Sequence, residues 1–148
     1  MTATPESAVA ALLGAITTRR DALAPSVLVI DGDPSLQEDD TPTAGQVAVF
    51  MVDRGVPTGV GIGAQWRETE ARIEVMAAGA TAAIRRPALR ALLDLVEGAL
   101  AADRSLGGVI VGCDWMAADP SQVAVDGADD YATEVVMVTL EYLSTTQL

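Results

Sequence analysis

Histidine, lysine and asparagine are missing from all 148 residues, cysteine occurs once, and aromatic side chains make up only 3%. Each absence removes a class of chemistry. Without histidine there is no Ser-His-Asp triad, no Cys-His dyad, no imidazole-ligated zinc and no titration switch near neutral pH. Without lysine there is no Schiff-base chemistry and no Walker-type phosphate loop. The single Cys113 allows no intramolecular disulfide and no multi-cysteine metal site. Long apolar runs are also missing. No uncharged stretch exceeds twelve residues (7–18, 41–52 and 55–66), against the roughly 20 that a membrane-spanning helix needs. The N-terminus lacks the basic flank of a signal peptide, because Glu6 stands there. A soluble domain made inside the cell, with no membrane partner, is expected.

What remains is apolar and acidic. Hydrophobic residues make up 50% and charged residues 20%, and nine cations, all arginine, face 21 acids for a net charge of −12. A chain of this length suits one domain, 1–148, with a core of leucine, valine, isoleucine and alanine. Strong negative charge disfavours gripping nucleic acid through its phosphates. It does not prevent DNA from passing nearby.

The pattern along the chain predicts seven elements. A helix over about 5–22 has Thr4 as cap, Pro5 in its first position and Glu6 at the positive dipole end. Its apolar stripe is Val9, Leu12, Leu13, Ile16 and Leu23. Strands are predicted at 26–30 and 46–52, separated by the acidic loop 31–45. Residues 53–65, with four glycines and one proline, read as a long flexible connection. Over 66–78 the pattern alternates: Thr69, Ala71, Ile73, Val75 and Ala77 face one way, and Glu68, Glu70, Arg72 and Glu74 the other. A second helix runs from 82 or 86 to 103, with Pro87 in its first turn and Leu89, Leu92, Leu93, Val96 and Leu100 buried. A short strand at 109–113, an acidic loop at 114–130 and a long last strand follow. That strand is apolar on both faces, which predicts cover on both sides. The expected fold class is α+β: two helices packed on a mostly antiparallel sheet of about four to five strands.

Several patterns mimic functional sites without meeting their requirements. Gly59-Val60-Gly61-Ile62-Gly63-Ala64 spells a dinucleotide fingerprint, but that motif needs a helix N-terminus behind it, and a strand pattern follows. The acids from Asp31 to Asp40 miss the calcium-loop template, which has glycine sixth and glutamate twelfth; Leu36 and Pro42 stand there. Glu68, Glu70 and Glu74 share a strand face with Arg72, as on a solvent or subunit face. Cys113 has Asp114 beside it and no cationic base in the sequence nearby, so a small buried thiol is expected. No catalytic residue, cofactor or metal site is assigned. Trp66 and Trp115 border glycine-rich or acidic segments, where they either anchor a subunit contact or cover the edge of the core. Arg85 and Arg86 flank a helix end and are candidates for the subunit interface, since arginine pairs bidentately with carboxylates.

The most distinctive stretch is Leu100-Ala101-Ala102-Asp103-Arg104-Ser105-Leu106-Gly107-Gly108, closing the second helix, with a final strand ending Val138-Thr139-Leu140-Glu141-Tyr142. Upstream are a strand running into Asp31-Gly32-Asp33 and the pattern Glu70, Glu74-Val75-Met76 and Gly79-Ala80. This arrangement resembles the tail terminator (tail completion) proteins of long-tailed phages, prophages and phage-derived gene transfer agents, over essentially the whole chain. That family is not enzymatic. The resemblance implies a structural virion protein: a homo-oligomeric ring, usually a hexamer, that caps the tail tube and joins it to the head–neck connector (stopper). DNA would pass through without specific binding. It also implies localisation in the tail or neck of a virion or phage-like particle assembled in the bacterial cytoplasm. Asp31, Asp33, Glu38, Asp39 and Asp40 are then candidates for the lumen or its rim, with an outward solubilising loop or a docking loop as alternatives. Another neck or tail-completion protein, or a small acidic enzyme or ligand-binding domain, is the alternative for the whole.

Overall fold

The computed structural model describes residues 3–32, 45–61, 64–78, 82–117 and 131–144. Its elements are α1 (Pro5–Leu23), β1 (Leu28–Asp31), β2 (Gln46–Gly61), β3 (Ala64–Ala78), α2 (Ala82–Ala102), β4 (Gly112–Ala117) and β5 (Tyr131–Ser144). The five strands form one mixed sheet in the order β1-β2-β3-β5-β4. Only β1 and β2 are parallel; the other three pairings are antiparallel. The fold is α+β, two helices on a five-stranded sheet.

Local chemistry explains the helix ends. Thr4 Oγ1 accepts from the Ser7 amide at 3.0 Å, and Ser7 Oγ accepts from the Thr4 amide at 2.8 Å, a reciprocal capping box. At the other end Arg20 donates to the Val27 carbonyl at 3.0 Å, tying α1 to the chain that enters β1. Ala8, Val9, Leu12 and Ile16 form the buried stripe of α1, whereas Leu23 is 64% exposed. Helix α2 begins at Ala82, so Pro87 lies in its second turn rather than its first. There it withholds a bond from the Ala83 carbonyl and loosens the first turn from the rest.

Alternation sorts the sheet into two faces. Val47 and Val49 on β2, Ala71, Ile73 and Val75 on β3, and Val136, Val138, Leu140 and Tyr142 on β5 are all fully buried. They meet Leu12 and Ile16 of α1 and Leu92, Val96 and Leu100 of α2 in one core. Each such side chain contributes about 1.5–3 kcal/mol by leaving water.

Three expectations change. Residues 53–61 belong to β2, which pairs with β3 through Gly61–Ala64. Register shifts at Met51/Asp53, Asp53/Val56 and Pro57/Gly59 absorb the proline and glycines that spelled a loop. The strand expected at 109–113 lies at 112–117. Val109–Val111 instead closes the turn: Ile110 is buried, its amide bonds the Ser105 carbonyl at 3.1 Å, and the Val111 amide bonds the Glu141 carbonyl at 2.8 Å. Finally, among the described residues one face of β5 is fully buried, whereas Thr133, Val135, Met137 and Thr139 on the other are half-buried.

Candidate functional site

The exit of α2 is a built turn in which each residue type has a task. The Asp103 carboxylate accepts from the Ser105 amide (3.1 Å), the Ser105 hydroxyl (2.8 Å) and the Gly107 amide (2.7 Å). The Ser105 hydroxyl first, then the Gly107 N–H, hold its carboxyl below the usual carboxylate range. Leu106 plugs the core despite a φ of +49°, and Gly107 and Gly108 follow at +73° and +84°. Arg104 donates to the Cys113 carbonyl and to Asp114 Oδ1, both at 2.8 Å, and its guanidinium lies 5.0 Å from the Trp115 ring centroid. The motif therefore fastens the helix to strand β4, a positioning role rather than a chemical one.

Cys113 is buried, as expected for a structural thiol, and burial pushes its pKa up, with Arg104 opposing in part. No cation neighbours Cys113 along the chain; the turn brings Arg104 to it. A protonated thiol beneath a sheet edge is a poor nucleophile.

The candidate interface residues fall on different surfaces. Trp66 and Trp115 lie within strands and on opposite faces: Trp66 pairs with Leu143 on the uncovered face and is 37% exposed. Trp115 pairs with Val138 and packs, partly buried, against the core. Arg85 is half-buried and Arg86 exposed in the first two turns of α2. Of the lumen candidates, Asp31 is an exposed residue ending β1. Asp33, Glu38, Asp39 and Asp40 lie outside the described residues, as do Asp119, Asp126, Asp129 and Asp130.

The surface that individual residues did not announce is the outer face of the sheet, opposite the helices. Register brings Phe50, Arg72 and Met137 into one row and Glu68 opposite Glu141. Arg72 bonds Glu74 at 3.1 Å and lies 6.0 Å from the Phe50 ring centroid. Leu143 and Met116, the latter 75% exposed, extend the face toward β4. The alternation over 66–78 was the available signal; that the same face continues across β5 and β4 needed the register.

Two open grooves of about 580 and 570 Å³ flank Arg19 between the helices. The Arg19 guanidinium lies flat against Gly98, where an added Cβ would come within 2.7–2.8 Å of it. Both grooves are lined mainly by alanine and leucine, with Asp103 in one and Asp94 in the other. Among the described residues no three acids or thiols gather as a metal-ligand set, and no helix is long and apolar enough to cross a membrane. No protein-family model matches the chain, and no curated protein matches it.

Proposed function

We propose that the chain is a structural ring subunit of a phage-like particle, a tail terminator that caps the tail tube and meets the head–neck connector. The single observation that carries the assembly part is the outer sheet face, where, among the described residues, Trp66, Met116 and Leu143 are exposed and Phe50 and Met137 only half-buried. Five strands at a spacing of about 4.8 Å, with a mean length of about 36 Å, give a face of roughly 870 Å². Stable interfaces bury about 800 Å² per partner, so a face of this size is large enough to form one. The tail assignment rests on the resemblance carried by Asp103–Gly108 and by the order of elements.

In this reading six copies close a ring, and DNA crosses its opening without being held. The acidic segment 31–45 is assigned to the rim, since carboxylates repel phosphate and leave the duplex free to slide. Electron microscopy of the purified protein at physiological salt tests the proposal. Rings with a central opening, seating on the ends of tail tubes from the same particle, are expected. Monomers at every concentration, with no affinity for tube ends, would overturn it.

A further inference from the structure

Two patches of this chain carry opposite charge on different surfaces, each with an apolar flank. The first is the start of α2. Arg85, Arg86 and Arg90 fall in its first nine residues, and its first turn holds no acid. Cations at that end oppose the positive pole of the helix dipole, so the local sequence runs against helix electrostatics. Beside them Ile84 is 53% exposed, a large apolar side chain on the turn that Pro87 loosens. The second patch is the midline of the outer sheet face. Glu68 stands directly opposite Glu141 across the β3–β5 ladder, with Glu70 on the same face. Like charges opposed in a ladder destabilise it. Arg72, the cation of that row, is engaged by Glu74. Among the described residues no ion pair involves Glu68, Glu70, Glu141 or Arg86.

We infer that the start of α2 of one copy docks on the outer sheet face of the next. Arg86 meets Glu68, Glu70 and Glu141, and Ile84 meets the apolar flank around Phe50 and Met137. The occupant is a second copy of this chain for two reasons. The charges complement each other, and the roughly 870 Å² face is close to what one side of a stable interface buries. The patches lie on different surfaces of the molecule, so the contact is head-to-tail, the type that closes into rings. Arginine suits this role because its planar fork pairs bidentately with carboxylates and keeps its charge when desolvated. The inference rests on the ring reading and names the contact that would build it.

Charge reversal in two complementary variants tests it. Arg85→Glu/Arg86→Glu spoils the helix patch, and Glu68→Arg/Glu70→Arg spoils the sheet patch. Each variant alone should remain folded by circular dichroism and associate at least tenfold more weakly in sedimentation velocity. Mixed in equal amounts they should recover rings, because in an alternating ring every helix patch again meets a face of opposite sign. The quadruple variant should form rings by itself. If wild type forms rings and neither reversal weakens them, this contact is wrong while the ring reading stands. Rings weakened by both reversals but not recovered on mixing likewise refute the pairing. Closed dimers from wild type would refute the head-to-tail geometry, and wild-type monomers under all conditions would remove the ring reading together with this contact.

Discussion

Replacing Gly45 by alanine probes the corner where β1, β2 and α2 meet. Gly45 has φ +103°, and an added Cβ would lie 2.9 Å from Leu92 Cδ1 and 3.2 Å from the Met76 carbonyl oxygen. Neither neighbour yields easily. Leu92 is 4% exposed within the core, and Met76 is locked in the β2–β3 ladder opposite Gln46. The Gly45 carbonyl also accepts the Leu28 amide at 3.1 Å, so any shift is passed to the parallel β1 pairing. The backbone strain costs on the order of 1–3 kcal/mol, and the forced overlap a further ~1–3 kcal/mol. Their sum, about 2–6 kcal/mol, is a large part of the roughly 5–15 kcal/mol that holds a domain folded. At roughly 2–4 °C per kcal/mol for this length, the melting point should fall by about 4–24 °C. Two other glycines calibrate the measurement. Gly107 has φ +73° with nothing within 4 Å of an added Cβ, so its alanine variant should lose only about 1–2 kcal/mol, from the backbone alone. Gly14 lies within α1, also with open space around it, and alanine there should gain about 1 kcal/mol of helix propensity. Urea denaturation of the three variants, at unchanged m value, reads the order directly. A Gly45→Ala loss no larger than that of Gly107→Ala would refute the packing argument and show that the corner gives way freely.

Further outcomes follow from the same geometry. Asp103 titrates below its ordinary 3.8 when folded, so its stabilisation is present above that value and lost as pH falls through the folded value. Glu134 titrates above its ordinary 4.5, through burial with Arg90 opposing and Glu97 adding, so its carboxylate is a penalty at neutral pH that disappears below 4.5. Asp103→Asn should therefore destabilise and Glu134→Gln stabilise at pH 7, both differences shrinking toward pH 3; like signs would contradict the assignments. Gly98→Ala should be neutral or harmful in wild type, because Arg19 occupies the space, yet stabilise by up to about 1 kcal/mol in an Arg19→Ala background. Additive effects in that cycle would mean the guanidinium moves aside freely. Changing Asp31, Asp33, Glu38, Asp39 and Asp40 together to arginine should leave tails assembled but slow DNA transfer, since the rim would then hold phosphate. Normal transfer would remove the rim assignment, and tails that fail to join heads would favour docking.

The elements that were legible in the sequence are those whose signal is local and repeated. Thr4, Pro5 and Glu6 mark the start of α1 because capping involves neighbours within three residues. Thr69 to Ala77 show their buried face because alternation runs unbroken, and β3 has a partner on both sides. The second half of β2 was illegible because Gly55, Pro57 and Gly59 carry a loop's composition. Its strand character comes from β3 opposite, and local propensity holds no trace of a partner. The Val109–Val111 run misled for the complementary reason. Its β-branched residues suit a strand, but Ile110 is used as a plug beneath the turn that Asp103 and Arg104 organise.

The two faces of β5 carry this point into function. Val136, Val138, Leu140 and Tyr142 are buried by the helices, while Val135 and Met137 alternate with them and are only half-buried. Both sets are apolar, and a sequence cannot distinguish cover from the same chain and cover from a neighbour, because the transfer energy per unit area is the same. The polar residues sharing the face make the distinction. A wet face tolerates any charge, and an intramolecular core tolerates almost none unpaired. A face combining Phe50, Met137 and Leu143 with Glu68 opposite Glu141 fits neither condition well. It fits a surface met by a cationic, partly apolar partner, which the same chain presents at Ile84, Arg85 and Arg86.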